Sequence, residues 1–239
     1  PSVWGLWAFV QDQPGLPTHT LRLGHPEGMG YYYSSPIKGW LAWPLLPTLG
    51  LTWTWNTLLL GARVGTVLAA FGAARAWGFG PKGSLCAAAI YGCAPFFHGY
   101  AVEGIVEGTD GWTLALWLWA LGARRYRLAA PAFALVLMSS WYLGMVGVLL
   151  LGLAVLRDRR ALWSGLGLLL ALPALAGFAG AFPGTAPLED GIRAMMGAHP
   201  GIPTPGWQAG LQPFAMNTYT GWLVLGVALW SRTRWVALA

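Results

Sequence analysis

The sequence predicts an all-α fold, a polytopic transmembrane bundle of about six or seven membrane segments with outer-face loops and short or re-entrant helices. Three observations predict it. The chain is 56% hydrophobic and only 9% charged, whereas soluble domains carry about 25% charged residues. Its apolar runs recur at close to the length of a bilayer crossing. Its charges are sorted by sign between alternate connections, as the positive-inside rule requires. These observations exclude an aqueous enzyme, a disordered tail and a nucleic-acid binder, and assign the net charge of +6 to membrane topology.

Taken in order, the first ten residues, PSVWGLWAFV, lack the basic start and long apolar core of a signal peptide. With Pro1 at one end and Trp235-Val-Ala-Leu-Ala239 at the other, the chain is read as a piece of a longer protein. A polar loop follows, about 11–35. Residues Pro36 to Leu49 are apolar, broken by proline and rich in Trp, too short for a full span of ~20 residues, and are placed at the membrane surface or as a re-entrant piece. Full spans are expected at Trp53 to Ala74 and Ser84 to Tyr100, then a second polar loop at about 98–111, then an apolar run from Trp112 to Ala123.

The next run, Leu128 to Leu156, has arginines at both ends: 124, 125 and 127 before it, 157, 159 and 160 after it. If basic residues mark one face, this run must go out and back, with Ser139-Ser140-Trp141-Tyr142 as its corner. Such short arms need neighbouring helices or a cavity to satisfy their backbone. A span from Ala161 to Phe182, a third polar loop at about 183–218 and a last span from Tyr219 to Trp230 complete a single transmembrane domain over 1–239. Ten of the fourteen basic residues then lie on one side, and seven of the eight acidic residues with all four histidines on the other. The expected location is the bacterial inner membrane, multi-pass, with the basic side cytoplasmic.

Chemistry is therefore sought in the three outer loops. Glu103 and Glu107 are spaced to share a helix face, close enough to raise one pKa, and with Asp110 they form a carboxylate group that could deprotonate a hydroxyl. A solvated acidic loop explains them equally simply. Asp12 and Glu27, the latter within Gly24-His-Pro-Glu-Gly28, divide between the same two readings. His19, His25 and Glu27 have no recognised ligand spacing, so no metal site is assigned and a divalent metal cofactor stays an open question. Arg193, beside Glu189 and Asp190, suits either a phosphate clamp or a local ion pair.

Arg63 lies mid-way along an apolar span and needs a partner: a lipid-linked phosphate, a coupling site, or a buried carbonyl. Gly61-x-x-x-Gly65 on the same span is read as close helix packing. Cys86 and Cys93 stand roughly 10 Å apart along a helix, too far for a disulfide, and are read as small packing residues. Nucleotide-binding and Ser-hydrolase motifs are missing.

A family pattern is carried by LGHPEGMGYYYSSPIKGWLAWPLLPTLGLTWTWNTLLL, through His25, Pro26, Gly28, Pro36, Pro44, Leu45, Trp55 and Asn56. It extends to Ala-Pro-Phe-Phe-His at 94–98, the Ser139-Ser140-Trp141-Tyr142 corner and Tyr219-Thr-Gly-Trp-Leu-Val-Leu. In order and spacing these resemble the bacterial GT-C superfamily of membrane glycosyltransferases. The resemblance implies inverting transfer of a sugar from a polyprenyl-phosphate donor at the outer membrane face, with a first-loop carboxylate as base. It puts Asp12 or Glu27 in the base role, Glu103 and Asp110 as second-loop partners, and Lys38 or Arg193 near the donor phosphate, with His25 and Arg63 as further donor contacts. The family's usual acidic residue just before a proline is not present, since this sequence opens on Pro1. Two alternatives remain at this point: a non-catalytic subunit scaffolding membrane protein partners, and a transporter.

Overall fold

The computed structural model describes residues 2–12, 19–20, 29–30, 35–94, 97, 101 and 108–181. Among these the fold is all-α apart from a two-residue antiparallel ladder, β1 (His19–Thr20) with β2 (Met29–Gly30), inside the stretch expected to be plain loop. The helices are α1 (Ser2–Gln11), α2 (Pro36–Ala76), α3 (Pro81–Gly92), α4 (Gly111–Gly122), α5 (Tyr126–Ser139), α6 (Trp141–Arg157) and α7 (Leu166–Ala181). A 3-10 segment, Arg159–Gly165, links the last two.

The chain enters α2 with Pro36 at its first turn, where a missing N–H costs nothing. Pro44 and Pro47 follow, yet the break comes at Gly50, whose φ of 72° is one that glycine adopts without steric cost. The break is a reversal. In a straight helix Lys38 and Gly65 would stand roughly 40 Å apart. Here Lys38 pairs with Asp110, and a Cβ on Gly65 would lie 3.4 Å from Trp112 Cβ, so both meet the same short stretch. The two arms of α2 therefore double back at Gly50, which is the physical form of the short segment expected at Pro36 to Leu49. Ala42 of the first arm and Trp55 of the second share a core with Leu6, Ala8, Phe9 and Val10 of α1.

The second arm runs parallel to α4: Gly65 faces Trp112 and Gly72 faces Trp119, seven residues apart on both helices. Among the described residues nothing lies within 4 Å of a Cβ placed on Gly61, so of the expected Gly61-x-x-x-Gly65 packing the structure shows the Gly65 half, against Trp112. Spacing alone cannot say which face a glycine presents. α3 stops at Gly92, short of the expected Tyr100, where Gly92 packs directly on Val67 and leaves no room for a Cβ. Cys86 and Cys93 are free, and both are exposed.

The expected corner is present. α5 ends at Ser139, Ser140 takes an extended conformation, and its Oγ accepts from the Leu143 backbone N–H as the N-cap of α6. The main core joins Trp117 and Leu121 of α4 to Phe133 and Val136 of α5 and to Leu143 of α6. The expected span from Ala161 instead begins with the 3-10 segment before α7.

Beside its apolar core the fold buries several polar side chains and leaves many large apolar ones exposed. Lys38, Thr54, Thr66, Ser84, Asp110, Thr113, Ser139, Ser140 and Ser164 are buried. Meanwhile Leu60, Val64 and Leu68 on α2, and Met145, Leu149, Leu153 and Leu156 on α6, form exposed apolar stripes at helical spacing, with Leu156 85% exposed. One described helix, Pro36–Ala76, is long and apolar enough to cross a membrane. Gly111–Gly122, Tyr126–Ser139 and Leu143–Arg157 are apolar but shorter.

Candidate functional site

Two polar ends terminate α4, roughly 18 Å apart along the helix. At its N-terminal end, Asp110 precedes the helix and Lys38 reaches it from the first turn of α2, with Nζ 2.7 Å from Oδ2. Both residues are 1% exposed. Ser35 Oγ donates to the same Oδ2 at 3.1 Å, Trp112 Nε1 donates to Oδ1 at 3.2 Å, and the Lys38 ammonium also donates to Thr109 Oγ1. The network continues inward: Thr113 Oγ1 donates to the Asp110 carbonyl at 2.9 Å and stands 2.9 Å from Ser139 Oγ, which tops α5. Tyr91 of α3 donates to the Gly111 carbonyl at 2.9 Å, and Phe97 closes over Gly111 so tightly that a Cβ there would collide with its ring. Four helices are thus tied to one carboxylate and its neighbours.

Why the sequence folds this way follows from the cost of burial. A carboxylate taken out of water without a partner is expensive, and here the ammonium and two further donors replace its hydration. The parallel register of α2 and α4 puts Asp110, just before Trp112, level with Arg63 on the second arm. Arg63 Nη1 donates to the Gly92 carbonyl at 3.3 Å, at the C-terminus of α3, where the helix dipole favours a cation. Of the partners expected for Arg63, this is the backbone carbonyl. The guanidinium also borders a groove of about 490 Å³ with Val64, Leu68 and Cys93.

Asp12 belongs to the same end. Phe9 packs on Gly39, with its ring 6.4 Å from that of Trp40, so the last turn of α1 abuts the first turn of α2. Asp12 lies one turn beyond Phe9, with its N–H bonded to the Ala8 carbonyl. Of the residues singled out from sequence, the fold therefore gathers Asp12, Lys38 and Asp110 at one end and puts Arg63 at the same level. Asp110, expected as a second-loop partner carboxylate, and Lys38, expected near a donor phosphate, are paired with one another here, as buried opposite charges are. His25, Glu27, Glu103 and Arg193 lie outside the described residues. Ser35, Thr109 and Thr113 were missed: a hydroxyl has no sequence signal until its partner is known.

The other end of α4 is basic. Arg124, Arg125, Arg127 and Arg160 line one groove, and Arg157 stacks over Trp77 with its guanidinium carbon 5.3 Å from the ring centre. The two arginine clusters expected to share a side are thus brought together. Asp158 sits among them, and the hydrogen bond donated by Tyr126, at 2.5 Å, holds its carboxyl below the usual carboxylate range. No protein family model, curated protein or solved structure matches this chain, so the GT-C likeness rests on the residues quoted for it alone.

Proposed function

We propose that the chain is an integral, multi-pass protein of the bacterial cytoplasmic membrane that transfers a sugar from a polyprenyl-phosphate donor to an acceptor hydroxyl on the face opposite its arginines. Support for the membrane part comes from the exposed apolar stripes on α2 and α6 and from the long apolar helix Pro36–Ala76. Trp53 and Arg75 lie roughly 33 Å apart along the second arm of α2, close to the ~30 Å of a hydrocarbon core with an aromatic belt at one edge and basic residues at the other.

One observation carries the functional part. The contacts of Ser35 and Lys38 with Thr109 and Asp110 join the chain leaving the first polar loop to the chain leaving the second. Those are the loops to which the resemblance assigns base and partner carboxylates. In this reading Lys38 and Asp110 are positioning residues that clamp the loops together. Asp12, at the adjoining end of α1, or Glu27 removes the acceptor proton. The acceptor oxygen forms a bond to the sugar anomeric carbon as that carbon's bond to the phosphate oxygen breaks, and polyprenyl phosphate leaves. Arg193 and His25 are assigned to its phosphate charge.

The test is transfer in membranes of the producing cell, with polyprenyl-phosphate hexose and pentose donors, by wild type and by Asp12→Asn, Glu27→Gln and Glu103→Gln. At least one variant should lose about 10²- to 10⁴-fold of the rate. Wild-type rates in all three would overturn the transferase. A solute flux in liposomes that vanished in Arg63→Ala would replace it with a transporter.

A further inference from the structure

The arginine end carries a second site, independent of sugar transfer. A groove of about 700 Å³ opens between the start of α5 and the 3-10 segment. Arg124, Arg125, Arg127 and Arg160 line it, together with Tyr126, Leu128 and Trp163. Of the four, Arg160 and Arg124 lie close enough to Asp158 to act on its charge, and that carboxylate is already engaged: Asp158 Oδ2 accepts from Tyr126 and Oδ1 accepts from the Arg160 backbone N–H at 3.0 Å. Arg125 stacks on Trp119 at 5.3 Å. Arg124, Arg127 and Arg160 have no ion-pair partner among the described residues, and all three are exposed.

The backbone adds a second observation. α4 ends with the Arg125 N–H on the Ala120 carbonyl and the Arg124 N–H on the Leu121 carbonyl, which is a Schellman motif. Arg124 occupies its left-handed position at φ 55°, and it alone among the described non-glycine residues has a positive φ. Glycine fills that position without strain, so an arginine held there indicates a use for its side chain.

We propose that this groove binds the headgroup phosphodiester of an anionic phospholipid. A guanidinium fork matches two phosphate oxygens at once, and four arginines line this one groove against a single carboxylate. A lipid is favoured over a free anion because the groove is bordered by exposed apolar groups: Leu128 at its wall, and Trp163 with Leu162 beside it. Acyl chains would lie on these as the phosphate enters the arginines. A basic pocket between membrane helices on the positively charged side is where anionic headgroups dock.

The experiment is native mass spectrometry of the full chain in neutral detergent, titrated with phosphatidylglycerol, phosphatidylcholine or inorganic phosphate. Wild type should retain phosphatidylglycerol in preference to the other two. Arg124→Gly should weaken that binding about 5-fold and Arg124→Gly with Arg160→Gln about 30-fold. Arg124→Gly relieves the left-handed strain, so its thermal unfolding should occur no lower than that of wild type, which separates lost binding from lost folding. Arg75→Gln with Lys82→Gln removes the same charge outside the groove and should leave binding within about twofold. Equal losses in both double variants would reduce the effect to diffuse charge and overturn the site. Inorganic phosphate binding as tightly as phosphatidylglycerol would overturn the lipid assignment.

Discussion

Lys38→Met alone is expected to destabilise the folded protein by about 3–5 kcal/mol, measured as equilibrium unfolding in mixed micelles. The loss arises less from the attraction removed than from the charge left behind. Asp110 would keep its carboxylate at 1% exposure with only Ser35 and Trp112 to replace the ammonium. Asp110→Asn should also destabilise, because it removes the carboxylate paired with the buried ammonium. Lys38→Met combined with Asp110→Leu should recover most of the stability, because an apolar pair of similar volume strands no charge. If the double variant were as unstable as the sum of the singles, the pair would not be the unit described here.

Trp117→Ala is expected to cost about 3–5 kcal/mol in the same assay. Trp117 is fully buried, its ring centre lies 5.0 Å from that of Phe133, and its Nε1 donates to Ser164 Oγ at 3.2 Å. Removing it opens a cavity where α4, α5 and the 3-10 segment meet, and strands the buried Ser164 hydroxyl. Trp117→Phe removes the hydrogen bond and part of the ring volume, and should cost about 1–2 kcal/mol. A loss below about 1 kcal/mol for Trp117→Ala would mean that these three elements are not packed on that ring.

How much of this was legible in the sequence depended on whether the signal was local. The turn at Ser140 was legible because arginines bound the run from Leu128 to Leu156 on both sides, which forces a return, and two serines interrupt it. The separation of Pro36 to Leu49 from the following span was legible from its prolines and its length. The actual reversal at Gly50 needed the contacts of Lys38 and Gly65 with one stretch of α4. The meeting of Arg124, Arg125 and Arg127 with Arg160 followed from charge sorting, which acts on whole connections.

The Lys38–Asp110 pair was not legible, although both residues were singled out. They stand 72 positions apart, and nothing in the spacing of either says that the other neutralises it. Each was assigned a role by itself, and only folding shows that the two are paired. The end of α3 at Gly92 was missed for a related reason: the apolar run continues, and only the approach of Val67 shows why the glycine is needed there. The hydroxyls of Ser35, Thr109, Thr113 and Ser139 had no periodic or compositional mark, since their value lies wholly in the partners that folding brings to them.

The central claim is that the arginine end and the hairpin tip of α2 lie on opposite faces of a bilayer, with the Lys38–Asp110 junction between them. Single cysteines at Thr48 and at Arg159, both exposed, in a variant with Cys86→Ser and Cys93→Ser, test it most directly. With a membrane-impermeant maleimide applied to intact spheroplasts, Thr48→Cys should label at once and Arg159→Cys only after the membrane is opened. Labelling of both from the same side, or of both in protein recovered outside the membrane, would contradict the account.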